Sequence, residues 1–282
     1  MRISLQQTVD IKSQFKSSTV KDFIPGYELS GEVLEVGEGV KPDAIAVGER
    51  VAVLSKNRGG FAEQCIVDSG DVWRLPSNIN RKDAAVLIFG HTNALYAFSH
   101  LCTLKEDTNI IITTGPAGLG LAAIDIAANI YKAKPVGVSN NEELLSLVRE
   151  RGAFTTATFK SKNFAKELKN ADIIYDAVGG GTHKLLSACI KPEGKILCAG
   201  PVDSQILTPP LNTWLSVVNI EGMRKCNFDL YRNLVSETLD MADQGMISAY
   251  VSEQFNLVDI DKAIKFIEDN KCTGKVLIKV SD

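Results

Sequence analysis

From Pro25 to about Pro76 the apolar positions come in short alternating runs set between glycines: Leu29 to Val36, Arg50 to Leu54, Phe61 to Val67 and Val72 to Leu75. A period of two between turn residues predicts the strands of a small β module. From about Arg81 the texture becomes helical, in the stretch AAVLIFGHTNALYAFSHL. Strand-like runs then alternate with amphipathic segments. The runs predict strands at Asn109 to Thr114, Pro135 to Ser139, Thr155 to Thr158, Asp172 to Asp176, Lys195 to Ala199 and Val218 to Gly222. Between them the pattern predicts helices at Leu119 to Tyr131, Asn141 to Arg151, Phe164 to Lys169, Thr182 to Ile190 and Pro210 to Val217. Strands joined by crossover helices make a parallel, doubly wound α/β sheet. A long helix, Phe228 to Gln244, is followed by a strand Val251 to Asn256, a helix Val258 to Asp269 and a last strand Lys275 to Val280, pieces able to return to the first module.

Composition narrows the classes. The 282 residues are 45% hydrophobic and 23% charged, with a net charge of −3, an ordinary globular balance that suggests about two domains at roughly 100–200 residues each. The longest uninterrupted apolar run, Ala84 to Phe89, falls far short of the roughly 18 residues that a membrane span needs. No membrane and no nucleic acid is expected as a partner, because the chain is slightly acidic and lacks a long basic run. Six cysteines (Cys65, Cys102, Cys189, Cys198, Cys226, Cys272) are scattered without a C-x-x-C pair. They read as reduced, mostly buried thiols rather than a disulfide framework or zinc knuckle. The segment Met1 to Ile24 carries Arg2, Lys12, Lys16 and Lys21 and many Ser and Thr, a bias resembling an organelle transit peptide, but Asp10 and Asp22 interrupt it. A cytoplasmic address is the expectation, with a mitochondrial one left open.

The sharpest local signal is NIIITTGPAGLGLAAIDIAANIY, beginning at Asn109. A buried strand runs into Gly115, Pro116, Ala117, Gly118, Leu119 and Gly120, and an apolar helix follows at once. This is the setting in which a glycine-rich turn and a helix N-terminus hold a pyrophosphate. Read as G-x-A-x-x-G, the loop has Ala117 at its central position, a methyl that would push the pyrophosphate outward. The other reading is a βα turn that simply needs glycines. At the end of the next strand, where NAD-binding chains carry an acid for the ribose, stand Ser139 and Asn140. Without a carboxylate there a 2′-phosphate is not repelled, so NADPH is preferred over NADH. The other reading is a neutral turn capping a helix at Asn141.

The succession IPGYELSGEVLEVGEGV, GERV, GGFAEQCIVDSGDVWRLP, the glycine loop, DIIYDAVGGGTHKLLSACIKPEGKILCAG and FNLVDIDKAIKFIEDNKCTGKVLIKV resembles the zinc-independent medium-chain dehydrogenase/reductases. Within them it is similar to the quinone oxidoreductase (zeta-crystallin) group, and most to the quinone oxidoreductase-like proteins. The match is collinear from about Leu5 onward. It implies a Rossmann domain over residues 93–249 and a GroES-like β module over residues 1–92 and 250–282. That module is N-terminally abbreviated, its first strands missing, because QQTVDIK near the start resembles the family's N-P-x-D segment. The implied chemistry is NADPH-dependent hydride transfer to a quinone or α,β-unsaturated carbonyl, in homodimers formed through the Rossmann sheet.

By the same resemblance the cofactor loop is Gly115 to Gly120, and the adenosine end falls at Ser139 and Asn140. Val178 and Gly179 line the dinucleotide, and Gly200, Pro201 and Asn93 lie near the nicotinamide. The zinc ligands of metal-dependent relatives fall on Gln7, Tyr27 and Phe89, no plausible metal set. A lysine and a tyrosine that meet the 2′-phosphate in relatives read here as Leu144 and Phe159, leaving Lys160 as a substitute cation. Tyr27 is a candidate proton donor, against a plain packing role. Asp176 reads as a structural acid at a strand end. His91, His100 and His183, with no partner at ligand spacing, read as surface or capped histidines. A non-catalytic binding or interaction protein that keeps the Rossmann frame is the competing reading, motivated by Ala117, Leu144 and Phe159.

Overall fold

Alternation in the first third of the chain becomes strand pairing. A computed structural model describes residues 2–8 (as backbone), 24–41, 44–55, 58–201, 209–210 and 212–280. Asp10 and the basic residues of the leader-like segment from Lys12 to Lys21 lie outside the described residues. By contacts the chain divides into two units, residues 1–89 with 224–282 and residues 90–223.

In the first unit, among the described residues, seven strands form one sheet: β1 (Arg2–Thr8), β2 (Glu28–Glu35), β3 (Arg50–Leu54), β4 (Gln64–Ile66), β5 (Val72–Arg74), β12 (Val251–Asn256) and β13 (Lys275–Lys279). Their order is β12-β13-β1-β2-β3-β5, with β4 on β1. The pattern predicts no strand at β1, yet β1 lies between β13 and β2, with Gln7 opposite Ile278 on one side and Leu29 on the other. Only Ile3 and Leu5 mark its alternation in RISLQQT, too few to show. The last strand returns as expected, and α8 (Ile260–Glu268) covers it through Ala263 and the ring of Phe266 against Phe255. The core is Leu29, Val33, Val51, Val53, Val67 and Val72; each such side chain contributes roughly 1.5–3 kcal/mol when fully buried.

The helix α7 (Phe228–Asp243) belongs to this unit, where the expected boundary assigned it to the Rossmann domain. Its contacts explain the difference: Tyr231 sets its ring edge-on to Trp73 at 5.5 Å, and Arg232 Nη1 donates to the carbonyls of Gly70 and Val72. Just before it, Arg224 Nε donates to the buried Asp71 at 2.6 Å. These are side-chain anchors that helical periodicity does not display.

The second unit is a six-stranded parallel sheet of β6 (Ile110–Thr113), β7 (Val136–Val138), β8 (Thr155–Ala157), β9 (Ala171–Asp176), β10 (Ile190–Cys198) and β11 (Trp214–Val217). The order is β11-β10-β9-β6-β7-β8. Strand order thus reverses between β6 and β9, the doubly wound Rossmann arrangement, whose ligand crevice lies at the carboxyl ends of those two strands. The connecting helices are α2 (Leu119–Asp125), extended by a π-helical turn Ile126–Ile130, α3 (Glu142–Glu150), α4 (Phe164–Glu167) and α5 (His183–Ser187). A further helix, α1 (Arg81–Tyr96), precedes β6.

Two predicted elements are exchanged. The expected helix at Pro210 to Val217 is the strand β11, paired with β10 from Lys195↔Trp214 to Cys198↔Val217, and the expected strand at Val218 to Gly222 opens the helix α6 (Ile220–Cys226). Asn219 decides the second, since its Oδ1 accepts from Gly222 N at 2.8 Å and so caps the helix start. In the first, Trp-Leu-Ser-Val is β-prone and finds a strand edge to pair with.

Five of the six cysteines are buried and Cys226 is exposed. Burial pushes the thiols of Cys65, Cys102, Cys189 and Cys198 up to about 11. At pH 8 a thiol reagent should therefore modify one cysteine rapidly in the folded protein and all six after denaturation. A second fast-reacting thiol, placed by peptide mapping in any of the four, would contradict this burial.

Candidate cofactor site at the strand switch point

The crevice is built from backbone approaches that only glycine permits. A Cβ at Gly120 would lie 2.2 Å from the carbonyl oxygen of Thr113, so this glycine lets α2 pack directly onto the end of β6. Gly118 takes φ +77 as the residue that starts α2, and it offers no side-chain cap. Among the described residues the amide groups of Leu119 and Gly120 meet no acceptor. Two donors at a helix start, backed by the helix dipole, suit an anion.

On the other side of the switch point stands the turn after β9. The buried Thr113 Oγ1 donates to Asp176 Oδ1 at 2.7 Å and accepts from Ala177 N at 2.9 Å and Val178 N at 3.2 Å. The same Asp176 oxygen accepts from Gly179 N at 3.0 Å. One hydroxyl and one carboxylate oxygen therefore tie the ends of β6 and β9. Gly179 has φ +70, and a Cβ there would sit 2.1 Å from Pro201 O; a Cβ at Gly200 would meet Ala177 O at 2.7 Å. The turns after β9 and β10 thus touch through backbone. Gly115 faces Val178, which a Cβ would approach to 3.2 Å.

The residues expected at the adenosine end lie one strand over. Thr114 N donates to Val138 O, and Ser139 is buried at the end of β7. Thr158 Oγ1 donates to Asn140 Oδ1 at 3.1 Å and accepts from Lys160 N at 3.3 Å. Lys160 is therefore held two links from Asn140, and its ammonium makes no hydrogen bond or ion pair among the described residues. Leu144 is buried and Phe159 lies against Phe164 at 5.2 Å, so both serve as packing. Asn93 is buried on α1, one turn beyond Gly90, through which α1 meets Ala122 of α2.

With this crevice in view, comparison with known proteins is informative. Residues 4–77 match the alcohol dehydrogenase GroES-like domain and residues 151–278 the zinc-binding dehydrogenase domain. The quinone oxidoreductase-like protein 2 homolog of Nematostella vectensis is 33% identical over 269 residues, 91% of this chain and 73% of that one. The chain belongs to the medium-chain dehydrogenase/reductase family, with the quinone oxidoreductase-like proteins. Solved structures agree on the fold of this family member. A mycobacterial protein complexed with NADPH superposes with a TM-score of 0.89 at 21% identity, over 99% of this chain and 91% of that one. Escherichia coli quinone oxidoreductase complexed with NADPH gives 0.84 at 19%, with the same coverage.

In this medium-chain dehydrogenase/reductase the positions expected to match the metal-dependent relatives' ligands hold other chemistry. Tyr27 is half-buried, its ring edge-on to Phe89 at 4.9 Å. The Lys275 ammonium lies 5.4 Å from the centre of the Phe89 ring and pairs with the buried Glu28, whose Oε1 accepts from Phe89 N at 2.8 Å. Among the described residues no group of three or more His, Cys, Asp or Glu side chains is set to hold a metal ion. The side chain of Gln7 lies outside what is described.

Two histidines depart from their expectation as surface or capped residues. His91 is buried, with Nε2 3.1 Å from Asp125 Oδ2, and Asn129 Nδ2 donates to the other oxygen at 2.6 Å. His183 is buried beside Ser187. His100 is exposed and stacks on Tyr96. The Thr113 to Asp176 tie was missed in the sequence because it joins residues 63 apart; its only signal is a pair of threonines closing the apolar run IIITT. Replacing that hydroxyl by a methyl, in Thr113→Val, should take from Ala177 N its acceptor, while Asp176 Oδ1 keeps the amides of Val178 and Gly179, and lower stability by about 1–3 kcal/mol. Urea denaturation with an unchanged midpoint would show that the tie carries no weight.

Proposed function

We propose that the protein is an NADPH-dependent, zinc-independent reductase of quinones or α,β-unsaturated carbonyls. The observation that carries this reading is the expected adenosine end, where Ser139, Asn140 and Thr158 are neutral and Lys160, whose backbone amide donates to Thr158, carries an ammonium without a partner among the described residues. A ribose-binding carboxylate at this place would favour NADH. The names of relatives support the substrate class, since the matched proteins are quinone oxidoreductase-like and two structural neighbours are complexes with NADPH.

The residues present suit a dinucleotide. Leu119 and Gly120 amides would receive the pyrophosphate, Gly115 to Gly118 would let it approach the backbone despite the Ala117 methyl, and Val178, Gly179, Gly200 and Pro201 would flank the nicotinamide, with Asn93 nearby. When bound, NADPH supplies a hydride. The chain contributes orientation and exclusion of water. Tyr27 is assigned to packing on Phe89, because a reduced quinone takes its proton readily from solvent. Zinc independence is supported by the Phe89 ring, which has no donor atom for a metal, and by the Tyr27 ring packed edge-on to it. Six free cysteines fit a reducing compartment such as the cytoplasm. A homodimer through the edge strand β11 is supported by its exposed Trp214 and Val217.

The non-catalytic reading keeps one observation in its favour: the two positions that relatives devote to the 2′-phosphate are here the packed Leu144 and Phe159. Fluorescence titration separates the two. NADPH is expected to bind in the micromolar range and NADH about tenfold or more weaker, with Lys160→Ala bringing NADPH towards NADH and leaving NADH unchanged. Absence of binding by either nucleotide would leave the non-catalytic reading in front.

Turnover with a quinone provides the second check. Tyr27→Phe should alter kcat by less than about threefold, whereas loss of a true general acid costs about a hundredfold or more. A hundredfold fall with normal NADPH binding would make Tyr27 the proton donor.

A further inference from the structure

Beyond the cofactor crevice the first unit contains a cavity of about 730 Å³, walled by residues 39–41 and 44–45 after β2, by β5, and by one face of α7. That volume lies within the range of pockets that enclose small organic ligands, roughly 300–1,000 Å³. Its floor is apolar, with Val40, Ile45, Val72 and Leu239 among the lining residues. The charges along it are unequal. Among the described lining residues Lys41, Arg74 and Arg232 face it against one acid, Asp240. Arg74 Nε is held by both oxygens of Glu49 at 3.0 Å, which cancels one cation and leaves one positive charge in excess.

Arg232 is the fixed element of this wall. Its Nη1 is spent on the carbonyls of Gly70 and Val72, and its guanidinium lies 4.8 Å from the centre of the Trp73 ring, whose Nε1 donates back to Arg232 O. Among the described residues Nη2 and Nε bond nothing, and the Lys41 ammonium likewise has no partner. A guanidinium immobilised at one corner, with donors left over and an apolar floor beside it, is pre-organised for a planar anion carried on a hydrocarbon body. Asp240, two turns along the same helix face, disfavours a second negative charge.

We infer that this cavity is a second ligand site, distinct from the cofactor crevice, for an amphipathic monocarboxylate such as a medium-chain fatty acid. The head would lie on Arg232 and Lys41 and the chain over Val72 and Leu239. Nothing in this assignment depends on the reductase reading.

The test uses the full chain with Trp214→Phe, a substitution at an exposed edge-strand position, so that Trp73 on the cavity wall is the sole tryptophan reporter. Decanoate should change its fluorescence saturably with a Kd of about 100 µM or tighter, a range open to a ligand of this size. Decanol, which lacks the charge, should bind about tenfold or more weakly, and decyl phosphate no more tightly than decanoate. Ser236→Trp, read by isothermal calorimetry, fills the cavity from an exposed helix position and should abolish decanoate binding. Arg232→Lys keeps a charge but loses the fork, and should weaken decanoate about tenfold while leaving decanol unchanged. No saturation below about 5 mM, equal affinity for decanol, tighter binding of the phosphate, or binding retained in the Ser236→Trp protein would each overturn the proposal. Should the Arg232→Lys protein fail to melt cooperatively, the Ser236→Trp protein still decides.

Discussion

The geometry of the second unit depends on one close approach, the contact of Gly120 with the carbonyl of Thr113. It lets α2 lie against the end of β6 without an intervening side chain, and that brings the helix start over the carboxyl ends of the strands. Thr113 then reaches the other way, to Asp176 and the amides of Ala177 and Val178. The two interactions share a residue, so the floor of the crevice and its far wall are fixed together. Gly179 and Gly200 extend the same arrangement to β10, where the two turns meet through backbone atoms. Stiffness of this kind is what a site for hydride transfer requires, because small misplacements of the reacting groups are costly.

How much of this was legible follows from the range of each interaction. The parallel sheet and the glycine turn were readable because periodicity and turn chemistry act within a few residues of the chain. So was the return of the last strand to the β module, from the strand, helix and strand that close the chain. β1 was not, since Ile3 and Leu5 alternate too briefly to rise above their polar neighbours. The exchange of helix and strand around Trp214 to Cys226 turned on a local cap, Asn219, and on the open edge of β10, of which only the first is written in the sequence. Residue-pattern reasoning weighs an apolar run without knowing whether a strand waits beside it.

Buried polar groups were the least legible. His91 finds Asp125 34 residues away, Glu28 finds Lys275 247 residues away and Asp71 finds Arg224 153 residues away. Each pair joins segments whose separate sequences give no hint of the other. Removing one member of such a pair leaves an uncompensated charge or dipole in a low-dielectric setting, at a cost of about 3–5 kcal/mol for a buried ion pair. The same pairs anchor elements: Arg224 with Asp71, and Arg232 with the carbonyls of Gly70 and Val72, hold α7 in the first unit. The contact units accordingly divide at residue 224, whereas the resemblance implied a boundary near residue 249.

A glycine motif read from sequence serves two masters, and the structure separates them. Gly120, Gly179 and Gly200 are demanded by backbone meeting backbone, a requirement of the fold whether or not anything binds. Their presence identifies the Rossmann frame and says little of use. Gly118 and the amides of Leu119 and Gly120 speak differently. A helix start is ordinarily closed by a Ser, Thr, Asp or Asn side chain, and glycine in its place costs about a few tenths of a kcal/mol; here the start has no side-chain cap and its donors stay open. At φ +77 the backbone of position 118 is one that side-chain-bearing residues rarely adopt, so glycine there also answers to the turn. An anion at the helix start would satisfy the open donors. The open donors of α2 are the part of the motif that a bound anion would use, while Leu144 and Phe159 are taken up by packing.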